Sequence, residues 1–121
     1  MKYMLLIYHE EQNWTSHTEA EHQEIYREYR ELIQRLQTGG QYQAGDQLQS
    51  TNTARTVRVR DGKHLVTDGP FAETREQLGG FFLIEAKDLD EAEAVAAQIP
   101  SARTGSIEIR PVVETAAPAS A

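Results

Sequence analysis

The segment Asp68-Gly69-Pro70-Phe71 has the residue types and order that most sharply suggest chemistry in this sequence. Gly69 permits a strained turn, Pro70 fixes φ, and Phe71 is either an anchor or the lining of a cleft. Asp68 ends a run that reads as a strand, where carboxylates often point into a pocket mouth. Desolvated by Phe71, its carboxyl would hold a proton more firmly and could act as a general acid or base. The competing reading is an Asx-type turn whose carboxylate only accepts backbone amides. Further on, Arg75 stands among Glu73, Glu76 and Gln77. Its guanidinium could grip an anionic substrate bidentately, or the run is simply solvated.

Tyr8 and Tyr29 are the next candidates. Tyr8 ends an apolar run and Tyr29 lies on the apolar stripe of a helix, so both could aim a hydroxyl at a cleft between sheet and helix. The alternative is core filling with the hydroxyl at the edge. The four His residues form no recognised metal motif. His17 and His22, if both helical, stand about 140° apart around the axis and cannot chelate together. His64 and Asp68 share a strand face but sit roughly 13 Å apart, which excludes a direct dyad. No metal and no cofactor are expected.

Composition narrows the classes further. The chain has 121 residues, 19 acidic and 12 basic, a net charge of −7 and no Cys. Thiolate nucleophiles, disulfides and Cys-ligated zinc are excluded. A net-acidic chain is a poor binder of phosphate backbones, and the basic residues Arg55, Arg58, Arg60 and Lys63 lack interleaved aromatics, so no direct nucleic-acid partner is expected. No run reaches the ~20 apolar residues of a membrane helix, and the first residues do not read as a signal peptide. The expectation is a cytoplasmic protein. Most of the acidic excess lies after Arg60, in Glu85, Asp88, Asp90, Glu91 and Glu93, around a helix start whose free amides and dipole it complements.

The elements that must position these groups follow from hydrophobic period. Residues 2–8 (KYMLLIY) and 81–86 (FFLIEA) are apolar without alternation, as in strands covered on both faces. Residues 9–17 read as a polar loop holding the single Trp, Trp14. Thr18 and Glu21 form a capping box, with Ser16 and Glu19 as a second register, and Ile25, Tyr29, Leu32, Ile33 and Leu36 make one helical stripe ended by Gly39-Gly40. A short strand near residues 41–44 is followed by loop to residue 53. Residues 56–60 and 63–68 flank Asp61-Gly62, a type I′ hairpin signal that pairs Val59 with His64 and Val57 with Val66. A second helix begins near Asp88, with Leu89, Ala92, Val95, Ala96 and Ile99 facing inward and Pro100 as its stop. Residues 106–112 alternate, and Pro111 marks an edge strand.

The order strand, helix, hairpin, strand, helix, strand predicts an α+β ferredoxin-like sandwich with an inserted β-hairpin. Two helices cover one sheet face only. The apolar residues left on the other face predict a homodimer packed sheet to sheet. One domain is expected over residues 1–113, with a disordered tail over 114–121.

The string TDGPFAETREQLGGF (residues 67–81) resembles the DGPF subgroup of YCII-related proteins. So do KYMLLIY, TVRVRDGK, LIEAKDLDEA and GSIEIRPV elsewhere in the chain. The resemblance spans residues 1–113. It implies a ferredoxin-like fold dimerising into an α/β barrel and a poorly characterised function. YCII-type relatives carry a His-Asp pair proposed as catalytic. Aligned on Gly40, the family His position falls at or near Tyr29, and Asp68 stands for the acidic member. A phenol, with its pKa near 10, is no substitute for a near-neutral base. The resemblance thus implies a small-molecule-binding, enzyme-like dimer with Asp68 as cleft carboxylate, Tyr29, Tyr8, Pro70, Phe71 and Arg75 beside it, and a small-molecule ligand. Its alternative is a non-enzymatic accessory protein linked to an extracytoplasmic-function sigma factor.

Overall fold

A computed structural model of the chain describes residues 1–114. The elements run β1 (Lys2–His9), α1 (Glu11–Thr15), α2 (Glu19–Thr38), β2 (Tyr42–Gln47), β3 (Arg55–Arg60), β4 (Lys63–Asp68), β5 (Gln77–Glu85), α3 (Leu89–Ala96) and β6 (Ser106–Pro111). Single 3-10 turns lie at Thr51–Thr53 and Pro100–Arg103. The expected tail lies, from residue 115 on, outside the described residues.

Four strands form an antiparallel sheet in the order β2-β5-β1-β6. With the hairpin set aside, this is the ferredoxin-like order, and the two non-alternating runs occupy its centre. The helix-side face carries Tyr3, Leu5, Ile7, Phe82 and Ile84, all buried. Against them pack Leu32 and Leu36 of α2 and Ala92, Val95 and Ala96 of α3. Leu5, Leu32, Ile84 and Ile99 are the largest fully buried side chains, each stabilising by ~1.5–3 kcal/mol relative to exposure.

Local signals account for the helix ends. Thr18 Oγ1 accepts from the Glu21 amide, and the Thr18 amide donates to the Glu21 carboxylate at 2.8 Å, closing the capping box. These bonds hold the Glu21 carboxyl below its usual range. Gly40, at φ 73°, takes the left-handed conformation that ends α2. Asp88 caps α3 by accepting from the Glu91 amide.

The expected hairpin is present with its expected register, Val59 opposite His64 and Val57 opposite Val66, across Asp61 (φ 51°) and Gly62 (φ 74°). It forms a separate two-stranded sheet rather than joining the main one.

Several expectations require correction. The main sheet is open, with β2 and β6 as free edges and no curl toward closure, so the sheet-to-sheet α/β barrel is not supported. The inference from non-alternating strands asked too much of them. On the face away from the helices, Leu6 lies beside Phe81 and Met4 beside Leu83. These neighbours screen one another to intermediate exposure. The large apolar side chains that stay most exposed are elsewhere, among them Val57, Val59, Leu65, Val66 and Phe71. Residues 9–17 are not all loop, because Glu11–Thr15 form α1. β5 starts at Gln77, four residues before the apolar run. Gly80 is what allows this, since a Cβ there would meet the Asp46 carbonyl oxygen of β2 at 2.8 Å. Leu89 is 46% exposed and Ile99 lies beyond α3, so the inner face of that helix is shorter than its stripe. Among the described residues, no helix is long and apolar enough to cross a membrane.

Candidate functional site

The gap between the helix-side face of the sheet, α1, α2 and the Pro100–Arg103 turn leaves a cavity of about 440 Å³, within the range of small-molecule sites. Its walls come from segments far apart in the sequence. Trp14 is supplied by α1, Ile25, Tyr26, Tyr29 and Ile33 by α2, Tyr42 and Phe82 by the sheet, and Ser101 and Arg103 by the turn. The aromatic wall is interlocked. Phe82 meets Tyr29 edge-on at 6.1 Å and Tyr42 at 5.6 Å, while Trp14 meets Tyr26 edge-on at 5.5 Å. Such pairs add stabilisation beyond the area they bury and hold rings in place.

Trp14 is seated by its neighbours. Its ring stacks on His22 at 4.1 Å, and His22 Nε2 donates to the Trp14 carbonyl oxygen at 2.7 Å. Glu11 pins the other end of α1: its carboxylate accepts from the Thr51 amide at 2.7 Å and the Thr51 hydroxyl at 3.0 Å. Gln77 accepts from the Glu11 amide at 3.1 Å. The five-residue α1, which has no buried residue of its own, is thereby held as a wall.

The polar residues lining the cavity include His9, His17, Ser101 and Arg103; Asp46 borders it through its backbone, its side chain sharing the Phe81 face of the sheet. His17 Nδ1 is the one buried side-chain nitrogen or oxygen among the described residues without a hydrogen-bond partner. Arg103 donates to both Glu28 carboxylate oxygens, at 2.7 and 3.0 Å. That pairing holds the Glu28 carboxyl below its usual range and raises the guanidinium. Asp46 has no ion-pair partner among the described residues. Tyr29 Oη and Ser101 Oγ are hydrogen-bonded at 2.7 Å. Burial pushes the Tyr29 phenol up, an effect its bonds to Ser101 only partly offset. The Tyr42 phenol is also raised, by burial and then by the Asp46 charge.

Of the residues singled out by sequence, the fold brings Tyr29 to the cavity and leaves the others elsewhere. Tyr8 points to the opposite face, where its hydroxyl donates to Glu108 at 3.2 Å. Burial and that carboxylate raise its phenol. Asp68 is 89% exposed at the side chain and pairs across the hairpin with Arg55 at 3.4 Å. Pro70 and Phe71 are exposed, and Arg75 pairs with Glu10 at 3.1 Å. The cleft expected at the Asp68 turn is therefore corrected: the hairpin carries this turn away from the sheet–helix gap. Its structural work is local. Gly69, at φ 93°, donates from its amide to the Ala54 carbonyl and accepts at its carbonyl from the Thr56 hydroxyl, both at 2.8 Å.

Sequence reasoning missed Trp14, His17, Tyr26, Tyr42, Asp46, Phe82, Ser101 and Arg103 as site residues. A signal for His17 was nevertheless present. With Thr18 as N-cap, His17 lies outside the helix and His22 is the fourth helical residue. This is the staple relationship that brings such a pair together. Their ring centroids are 6.0 Å apart, so the 140° separation, which assumed both were helical, does not apply. Among the described residues, no group of three or more His, Cys, Asp or Glu side chains is arranged to hold a metal.

Comparison with known proteins adds two findings. A model of the YCII-related domain matches residues 1–116. An uncharacterized protein of Rhizobium meliloti (strain 1021) is 36% identical over 114 residues, spanning 93% of this chain and 92% of that protein.

Proposed function

Because the chain belongs to the YCII-related domain family, a family without a settled activity, we propose from the cavity itself that it is a small-molecule-binding, enzyme-like protein. The carrying observation is the coincidence, in one cavity of about 440 Å³, of an interlocked aromatic wall with the hydrogen-bonded Tyr29 and Ser101 hydroxyls. Among the lining residues, His9 and His17 carry the side-chain type that most often serves as general acid or base. Tyr29 stays protonated and orients a bound molecule together with Ser101.

The test is a thermal-shift screen of small polar and aromatic compounds on the wild-type chain and on Ile25→Trp, which fills the cavity. Compounds that stabilise the wild type and not the variant support the reading. A library that stabilises neither protein removes it.

Protein partners belong to the same proposal through the hairpin. One of its faces carries the cross-strand pairs Val57–Val66 and Val59–His64, and all three valines are over half exposed. A lone two-stranded ribbon is marginal in water, so a second copy of the chain seated on this face would steady it. An accessory role toward a sigma factor would use the same surface and leave the cavity unaffected.

A further inference from the structure

We propose that His9 Nε2, seated by a glycine bulge at Gly79, is the hydrogen-bond acceptor of the cavity, and that the ligand is a flat ring bearing a hydrogen-bond donor. The inference rests on reading the cavity as a binding site and names the group that orients a ligand inside it.

Strand geometry aims the His9 side chain. Successive residues of β1 alternate between the two sheet faces. Ile7 is buried on the helix side, Tyr8 turns outward to Glu108, and His9 returns to the helix side. Ile7 pairs with Gly80 and Tyr8 with Leu78, which leaves Gly79 as one extra residue of β5. Such a bulge re-aims the side chains beside it. Here it makes room, because a Cβ at Gly79 would fall on His9 Nε2 and lie 2.5 Å from Cδ2. Gly79 is not among the glycines of positive φ, so what its missing side chain permits is the imidazole lying across it. Gly105 confines the same strand end, since a Cβ there would meet His9 Cα at 3.2 Å. His9 and Gly79 both line the cavity.

The tautomer follows from the other ring nitrogen. His9 Nδ1 lies 3.4 Å from the Glu10 carbonyl oxygen. A carbonyl only accepts, so Nδ1 carries the proton of the neutral ring and Nε2 keeps its lone pair. Nε2 has no protein partner among the described residues. Of the unpartnered side-chain nitrogens and oxygens there, the buried one is His17 Nδ1, so His9 Nε2 keeps surface that a ligand can reach. A donor placed there completes its bonding. Trp14, Tyr26, Tyr29, Tyr42 and Phe82 line the same space, and their ring surface favours a flat body beside the acceptor.

The experiment uses the full chain and two probes, indole and N-methylindole, which share a ring system and differ in the N–H. Calorimetry gives the affinities. Long-range proton–nitrogen spectra at mildly alkaline pH give the histidine tautomers, with His9 assigned from its loss in His9→Ala. In the free protein His9 should be the Nδ1–H tautomer. Indole should bind saturably, at least fivefold more tightly than N-methylindole, and should shift the His9 Nε2 resonance. His9→Ala should bring the two affinities within twofold of each other. Gly79→Ala should do the same with His9 still present, circular dichroism reporting that each variant is folded. An Nε2–H tautomer overturns the acceptor role. Equal affinities in the wild type, or a preference for indole that survives His9→Ala, overturn it as well. A preference that survives Gly79→Ala overturns the positioning role of the bulge. Binding of neither probe, while the wider screen finds cavity ligands, overturns the donor-bearing ring and leaves the site standing. Failure of the wider screen as well removes both.

Discussion

The Tyr29 hydroxyl and Ser101 Oγ stand 2.7 Å apart, joining the middle of α2 to the turn before β6 across 72 residues of sequence. The bond closes one end of the cavity and fixes the ring that meets Phe82 edge-on. Removing the hydroxyl with Tyr29→Phe should cost about 1 kcal/mol of stability, measured by urea unfolding. Its pH dependence has a definite sign. Burial raises the phenol above its unfolded value, so its contribution is full below pH ~10 and is lost as pH rises through the higher folded value. Tyr29→Phe should therefore shallow the alkaline loss of stability. Tyr8 and Tyr42, raised in the same direction, would keep part of it. An unchanged alkaline limb would contradict the assignment.

The Glu28–Arg103 pair acts at the other end of the pH scale. The hydrogen bonds from Arg103 hold the Glu28 carboxyl below its unfolded value. Its contribution is present above that unfolded value and lost as pH falls through the folded one. With the Arg103 side chain 60% exposed, the pair is worth at most about 1 kcal/mol. Glu28→Gln should remove that amount at neutral pH and flatten the acid limb, read by thermal unfolding between pH 7 and pH 3.

Gly45→Ala tests how tightly the aromatic wall is fitted. The added methyl would press on both Tyr42 and Phe82, a crowding that costs about 1–3 kcal/mol in a packed interior. The near-ultraviolet circular dichroism should change as the Tyr42–Phe82 contact opens. Wild-type stability in this variant would mean that the rings have room to spare.

Asp68→Asn is expected to be nearly silent. The carboxylate is exposed and its one ion-pair partner among the described residues is Arg55, itself mostly exposed. The change in stability should stay within about 0.5 kcal/mol, and the affinity for any compound that the thermal-shift screen finds should not move. A clear loss of affinity would relocate the site to the turn at the end of the hairpin.

Self-association through the hairpin predicts a light-scattering mass of about twice the 13.6 kDa chain at micromolar concentration. The double variant Val57→Lys with Val66→Lys should return it to the single-chain value. A wild-type mass of one chain would leave the hairpin face for another protein.

What the sequence could reveal was whatever rests on short-range rules. The capping box at Thr18, the end of α2 at Gly40 and the Asp61-Gly62 turn with its register are set by a few neighbouring residues, and each is found where expected. The order of elements likewise determined the ferredoxin-like arrangement, because few topologies join them without long crossings. The site was a different matter. The sharpest local string, Asp68 to Phe71, is sharp because a glycine-proline turn needs those residues, and the hairpin carries it into solvent. Trp14, Tyr29, Asp46, Phe82 and Ser101 share no spacing and no motif. They meet only because α1, α2, two strands and a turn pack around one gap. The closed barrel was misjudged for the same reason: a strand's pattern shows that a face is apolar, but neighbouring strands decide how much of it stays open to water.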